Sequence, residues 1–365
     1  MTTKSYCERA FNHLHSHARG MYKLCCHANP NVNIAKYTTK NTRPFDFFFS
    51  DEMEQIRNDM LEGKLIDGCE YCYRLEADGM KSPRLTNRLY SNIEPHSIGV
   101  QVRIFGSTCN LSCYMCFPFN SSTKNKEIQN IDTDIFVKHT ADFYRVDDEA
   151  TAVSAKDVLD NLEWIDHITI IGGEPFVMSS HWEFLDQIPK DMRAKISLRY
   201  QTNLTTLHHK KWHLLDYVDD FKSIKLFVSV DHIKDRLAWI RYPIDVDEFE
   251  NNLMEYKQYI ESMHTCVGIL NVQDIPEIVR YYKDNFNLTV EMRNIVQYPP
   301  ELSIKNLSDM DKVKVREILS GVDDVPDVVF HELSKPRVDS EYEKCIDYIK
   351  QLDAKRGTRC FFLDA

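Results

Sequence analysis

No run of about 18 apolar residues, the length a helix needs to cross a bilayer, occurs in this chain. The opening residues MTTKSYCERAF also lack the apolar stretch of a secretory signal. Basic residues are not in excess. The 45 Lys and Arg stand against 56 Asp and Glu, so no global positive field favours nucleic acid. Local basic runs, Lys210-Lys211 and KSPRLTNR, read as solvated faces. Low-complexity tracts are missing, and no internal repeat goes beyond a strand–helix unit. These absences argue against a membrane partner, give no clear nucleic-acid partner, and leave a cytoplasmic location as the expectation.

What the chain does hold is cysteine, 11 in 365 residues. In a reducing compartment, thiols in this number serve metal clusters rather than disulfides. Three of them, Cys109, Cys113 and Cys116, fall in TCNLSCYMCFP with C-x3-C-x2-C spacing, just after the apolar stretch Ile98 to Phe105. Chance would produce that spacing on the order of 0.01 times in such a chain. Three thiolates on one loop can hold three irons of a 4Fe-4S cubane and leave the fourth open to a ligand. Zinc prefers four protein ligands in paired C-x2-C units, which the wider first gap fits poorly.

A second motif, Gly172-Gly173-Glu174-Pro175, ends the apolar run His167–Ile171. Its glycines permit a tight turn and a close approach of backbone to ligand. Strand-like segments recur at 99–105, 167–171, 196–202, 224–230, 265–271 and 288–295, with helix-like stretches at 179–188, 207–219, 247–262 and 274–285. The alternation predicts an α/β fold with a parallel sheet and helices outside it.

The cysteine loop, with Asn110 and Tyr114 inside it, and the GGEP run resemble the radical S-adenosylmethionine (radical SAM) superfamily. That resemblance implies a partial (β/α)6 TIM-type barrel over 98–298, with its active site at the carboxyl ends of the strands. It implies that Cys109, Cys113 and Cys116 carry the catalytic 4Fe-4S cluster, and that Gly172, Gly173, Glu174 and Pro175 meet the methionine amino group of S-adenosylmethionine. By the same resemblance Tyr114, Asn203, Ser229, Asp231 and Arg241 are cofactor-binding candidates, Arg241 through the cofactor carboxylate. Polar turn residues are common, so a solvated turn is the plain alternative for Asn203, Ser229 and Asp231, and a surface ion pair for Arg241.

Residues 1–97 carry a second set: Cys7, Gly20 after twelve residues, Cys25 after four more, then Cys69-x2-Cys72. The spacing resembles the first half of the SPASM or twitch signature, whose cysteines ligate an auxiliary 4Fe-4S cluster. Cys26 is an alternative to Cys25, and a four-thiolate zinc site is the alternative occupant. The order, cysteines before the barrel, is similar to a twitch-containing group of radical SAM proteins. SPRLTNRLY, VQYPPELSIKNLS and the closing LDAKRG add to that likeness. His13, His15, His17 and His27 read as structural or solvent-facing on one face of a strand. Cys266, Cys345 and Cys360 read as small buried hydrophobes. Gly321 to Pro336 reads as a link to a C-terminal helix at 338–353, within an extension over 299–365.

The implied chemistry is one-electron cleavage of S-adenosylmethionine to a 5′-deoxyadenosyl radical that removes hydrogen from a substrate carbon. The auxiliary cluster would act as electron acceptor, and a flavodoxin or ferredoxin as donor. Peptide or protein modification by oxidation is the expected activity. The alternatives are a sugar or cyclitol alcohol dehydrogenase, or a non-catalytic iron–sulfur scaffold or sensor. No winged-helix peptide-recognition domain is apparent, which favours a small-molecule substrate.

Overall fold

Alternation of buried and half-buried positions marks the central strands. In SIKLFVS, Ile224, Leu226 and Val228 are buried while Lys225, Phe227 and Ser229 face the other side and stay half-buried. SLRYQT behaves the same way around Leu198, Tyr200 and Thr202. The computed structural model describes residues 5–17, 20–29, 31–86, 97–136, 148–359 and 361. Cys360 and part of SPRLTNRLY lie outside them. Ten strands are formed among these residues: β1 His13–Ser16, β2 Tyr22–Lys23, β3 Ile98–Gln101, β4 Ile165–Ile170, β5 Ser197–Thr202, β6 His208–His209, β7 Trp212–His213, β8 Ser223–Ser229, β9 Ile260–Val267 and β10 Val290–Ile295.

The chain divides into two compact units that interleave in sequence. The first holds residues 1–106, 144–200 and 208–225; the second holds 107–143, 201–207 and 226–365. In the first, the strand order is β2-β1-β3-β4-β5, parallel except for the β1–β2 pair. Its core gathers Leu14, Val100, Ile168, Leu198, Tyr200 and Trp182. β6 and β7 form a small antiparallel hairpin in the same unit. In the second, β8, β9 and β10 pair in parallel in that order.

Helices of the second unit are bounded by ordinary capping chemistry. Pro276 sits in the first turn of Ile275–Phe286, whose Ile275, Ile278, Tyr282 and Phe286 are buried, and Asn287 closes it at φ +51°. Ser308 accepts a hydrogen bond from the Asp311 amide at the start of Asp309–Leu319. The last helix, Asp339–Arg356, stops at Gly357 with φ +65°. Among the described residues no helix is long and apolar enough to cross a membrane.

Three expectations need correction. The segment 207–219, expected to be helical, is the β6–β7 hairpin followed by a single turn at Leu214–Asp216. β9 begins at Ile260, so the helix expected over 247–262 ends at Glu255. The link Gly321 to Pro336 contains a helix, Asp327–Ser334. Of the histidines read as structural or solvent-facing, His13 and His15 are structural, buried at 5% and 4% exposure in a strand between two others.

Burial of these imidazoles sets an acid limit on stability. Burial first, with cationic neighbours, brings His13 down to about 3; burial alone brings His181 to about 3, and burial with Arg293 brings His264 to about 4. An unfolded histidine titrates near 6.5. Between those values the unfolded chain binds more protons, so stability falls as pH drops below about 6.5 and is level above it, at up to ~1.4 kcal/mol per pH unit for each histidine. Urea midpoints at pH 7.5, 6 and 5 measure this. A midpoint independent of pH over that range would contradict the neutral, buried state.

Candidate active site

The C-x3-C-x2-C loop lies in the second unit, and hydrogen bonds brace it from three directions. Behind it, the Cys109 amide donates to Ser122 Oγ (3.3 Å), Thr123 Oγ1 donates to the Cys109 carbonyl (2.6 Å) and Ser121 Oγ donates to the Leu111 carbonyl (2.7 Å). These three residues begin the helix Ser122–Ile128, so the loop and that helix set each other's position. On another side, the Ser112 and Tyr114 amides donate to the carbonyls of Tyr242 (2.7 Å) and Ile240 (3.0 Å). The third brace is the C-terminal helix. Arg356 Nη2 donates to the Ser112 carbonyl (2.5 Å), and its Nε and Nη2 both reach Glu127, at 2.7 and 2.6 Å.

Tyr114, read from the motif as a cofactor contact, is fully buried between these elements. Its hydroxyl donates to Asp353 Oδ1 (2.7 Å), an oxygen that Trp239 Nε1 also reaches at 2.7 Å. Its carbonyl accepts from Tyr348 OH at 2.8 Å. The closing LDAKRG run thus supplies Asp353 and Arg356, two of the residues that hold the cysteine loop. Sequence reading noted the run and missed that role, because the partners lie 229 to 244 positions apart.

Of the remaining candidates, Asn203 reaches the cysteine loop. Its Nδ2 is 4.0 Å from Cys109 Sγ and donates to Asn110 Oδ1 at 2.9 Å; Asn110 in turn donates to Thr205 Oγ1, and Thr205 back to Asn203 Oδ1 (both 2.7 Å). The ring of amides fixes the turn after β5 against the loop. Asp231 is completely buried, accepting from Arg241 Nε at 2.8 Å and from the Cys266 amide at 2.9 Å. Arg241 is therefore in a buried ion pair, not a surface one. Burial opposes its charge, but Asp231 and Cys113 outweigh burial and raise its pKa. Burial raises the Cys113 thiol, and the same guanidinium acts to lower it.

Ser229 Oγ accepts from Gln201 Nε2 at 2.7 Å; Gln201 Oε1 lies 3.0 Å from His264 Nδ1, whose Nε2 is 3.1 Å from Ser262 Oγ. An amide oxygen can only accept, so His264 carries its proton on Nδ1. Gln201 and His264 were not singled out from sequence. Lys124 was also missed: it is fully buried, and burial first, then Arg356, lower its pKa to about 7 against the raising effect of Glu127, Cys116 and Cys113. Cys345 is buried as expected, whereas Cys266 is only half-buried, with a thiol pushed up to about 12 by burial.

In the first unit, Gly172 and Gly173 have φ +90° and +57°, which explains both glycines after β4. The Arg103 guanidinium passes so close to Gly172 that a Cβ there would lie 2.2 Å from Nη1. Glu174, 1% exposed, accepts from the Phe176 amide at 3.4 Å, and Phe176 packs on Tyr200 and Trp182.

The same unit brings Cys7, Cys25, Cys69 and Cys72 to the wall of one pocket, with His27, Tyr71 and Arg84. Gly68 (φ +90°) permits this: its carbonyl accepts from the Asn29 amide at 2.8 Å, and a side chain there would meet the Asn29 carbonyl. Gly20 (φ +78°) turns against Thr39 in the same way. Cys26 is exposed and accepts from Arg9 Nη1 at 3.2 Å, while Cys25 lines the pocket. Burial raises all four pocket thiols, Cys25 up to about 12, and neighbouring thiolates add to the rise for Cys25, Cys69 and Cys72. A cationic occupant would reverse that balance. The described cysteines form no disulfide. Among the described residues no group of three or more His, Cys, Asp or Glu is arranged to hold a metal ion.

Comparison with known proteins places these features. A search of curated proteins finds no match. The structure of native anSMEcpe with bound AdoMet is similar at 17% identity over 61% of this chain and 59% of that one, with a TM-score of 0.39. TYW1 with a lysine-pyruvate adduct bound is similar at 15% identity over 76% of this chain and 94% of that one, TM-score 0.35. Streptococcus suis SuiB bound to S-adenosylmethionine is similar at 13% identity over 81% and 52%, TM-score 0.34. This chain spans less than two thirds of the length of the first of these. The family model described as the Radical SAM superfamily matches residues 104–282, a span that contains the cysteine loop, the GGEP turn, Asn203, Ser229, Asp231 and Arg241. Over residues 104–282, just under half of its length, this chain is thus similar to the Radical SAM superfamily.

Proposed function

We propose that this chain is a radical SAM enzyme that oxidises a substrate at carbon, with Cys109, Cys113 and Cys116 holding the catalytic 4Fe-4S cluster and Cys7, Cys25, Cys69 and Cys72 an auxiliary one. When bound, the first cluster supplies one electron to the sulfonium of S-adenosylmethionine, and the resulting chemistry removes hydrogen from an unactivated carbon. The observation that carries the reading is the bracing of the cysteine loop inside a matched Radical SAM domain. Its backbone hydrogen bonds are taken up by three separate elements, which leaves the three sulfurs on a loop of fixed shape.

The chain's own residues then divide the work. Arg241 places a permanent positive charge beside Cys113, which favours the thiolate that iron requires. Asp231 orients that guanidinium, and Asn203 directs an amide toward Cys109. Gln201, held by His264, fixes the Ser229 hydroxyl. The buried Glu174 and the glycine turn before it carry the groups that the resemblance assigns to the methionine amino end. Four cysteines can ligate a second cubane completely, so its role is read as electron acceptor from the oxidised substrate. Peptide or protein side-chain modification is the first reading of the substrate, and a sugar or cyclitol alcohol the alternative.

The test is 5′-deoxyadenosine formation by the anaerobically reconstituted chain with reductant and S-adenosylmethionine. Cys113→Ala should reduce it at least 100-fold while iron and sulfide at the four N-terminal cysteines are kept. Wild-type turnover in that variant would refute the assignment. Zinc in place of iron at the N-terminal cysteines would remove the auxiliary cluster and leave the rest standing.

A further inference from the structure

The second unit holds a cleft of about 930 Å³ that the catalytic reading leaves unused. Three elements wall it: the helix Ile275–Phe286, the run 288–293 that leads into β10, and the loop 321–326. Successive side chains of a strand point to opposite faces. A wall that takes in Val290, Glu291, Met292 and Arg293 together is therefore the edge of β10, not one of its faces. Among the described residues β10 pairs with β9 alone, which leaves this edge open.

The ladder fixes where the backbone points. The Thr289 carbonyl accepts from the Met263 amide at 2.9 Å, toward β9. In a trans peptide the N–H opposes the C=O, so the Val290 N–H points away from β9. Carbonyls alternate along a strand, so the Val290 C=O points away as well. Among the described residues neither group has a hydrogen-bond partner, although Val290 is only 5% exposed. A peptide group buried to that degree favours a partner, and a strand added at this edge would satisfy both its donor and its acceptor.

Charge on the walls selects the ligand. Arg280 and Lys283, three residues apart, share a face of the helix, and Asp323 and Asp324 are neighbours on the loop. All four are exposed, and none has an ion-pair partner among the described residues. Glu291 and Arg293 answer each other at 2.5 Å. With Asp284 the cleft holds three basic and four acidic residues, so a nucleic acid or a free phosphate would meet an excess of carboxylates. A ligand that carries both signs satisfies the helix and the loop together.

We propose that this cleft docks an extended peptide segment of the substrate, which adds as a short strand beside β10. An acidic side chain of the segment meets Arg280 and Lys283, a basic one meets Asp323 and Asp324, and its backbone pairs with Val290. Main-chain pairing supplies affinity and the side chains supply selection. The register shift between Glu291 and Asn294 interrupts regular pairing and keeps the added strand to a few residues. Assigning the segment to the substrate rests on the peptide-modification reading above, whereas the groove stands on the second unit alone. A sugar or cyclitol could use neither the strand edge nor the separated charges.

Fluorescence anisotropy of a labelled hexapeptide, Thr-Glu-Val-Thr-Lys-Val, with the full, anaerobically prepared chain and no S-adenosylmethionine tests this. Saturable binding is expected. Arg280→Gln with Lys283→Gln, and separately Asp323→Asn with Asp324→Asn, should each weaken it about tenfold or more. Arg280→Lys with Lys283→Arg keeps both charges and should bind as wild type does. These side chains are exposed, so urea midpoints should not move. Two versions of the peptide, methylated on alternate backbone nitrogens in opposite phase, separate edge pairing from charge attraction: one of the two should lose about tenfold or more. No saturation up to about 1 mM, equal binding by wild type and both double variants, or undiminished binding of both methylated peptides overturns the proposal. So does a labelled RNA hexamer that binds tighter than the peptide and is lost in the Arg280 and Lys283 variant. Lost peptide binding with intact 5′-deoxyadenosine formation sinks this inference only; the reverse result sinks the radical-enzyme reading only.

Discussion

Arg356→Ala is expected to destabilise the second unit by about 3–5 kcal/mol, the cost of leaving one member of a buried ion pair without its partner. The Arg356 side chain is 1% exposed and Glu127 10%, and the guanidinium spans both carboxylate oxygens and the Ser112 carbonyl. Arg356 also lies 4.7 Å over the Tyr114 ring, so its removal opens packing as well as charge. Glu127 would then keep only the Ser112 hydroxyl and Lys124, the latter at 3.7 Å. Replacing both members together, Arg356→Met with Glu127→Met, should recover most of the loss, since matched apolar groups replace a buried pair at small cost. Urea denaturation of the single and double variants gives the coupling directly. A single Arg356→Ala change below about 1 kcal/mol would mean the pair is solvated and the C-terminal helix does not brace the loop. The same variant should take up less iron on reconstitution at the catalytic cysteines, because the loop backbone loses the Ser112 anchor.

That helix illustrates where the amino-acid pattern stops being readable. The cysteine spacings, the GGEP turn and the alternating strands β4, β5 and β8 follow from local order, and the four N-terminal cysteines do meet in one pocket. Positions with two environments were misread. β9 was placed five residues late because Ser262 and His264, on its less apolar face, break the hydrophobic run. For the same reason β1 was left open between a structural and a solvent-facing reading: His13 and His15 look polar, yet they are buried in a strand between two others. In 207–219 the spacing of Leu214, Leu215 and Val218 imitates a helix, but Lys210 at φ +54° reverses the chain into a hairpin. Asp353, Arg356, Lys124 and Gln201 act through partners far away in the chain, and no local pattern announces them. Strands that carry His, Gln and Ser among their apolar residues hide from any reading based on hydrophobicity.

Gly172→Ala should be the most damaging single methyl added to the first unit, through two costs that can be separated. The first is conformational: at φ +90° an alanine is strained by about 1–2 kcal/mol relative to glycine. The second is steric, since the new Cβ would meet Arg103 Nη1 at 2.2 Å, Cζ at 2.5 Å and Nε at 2.8 Å. Arg103 must then swing away, or the turn must shift and move the buried Glu174. In an Arg103→Ala background only the conformational cost remains, so Gly172→Ala should be milder there by roughly 1 kcal/mol or more, the usual scale of overpacking. Urea midpoints of the four proteins close the cycle. Equal losses in both backgrounds would show that Arg103 does not occupy the space over Gly172.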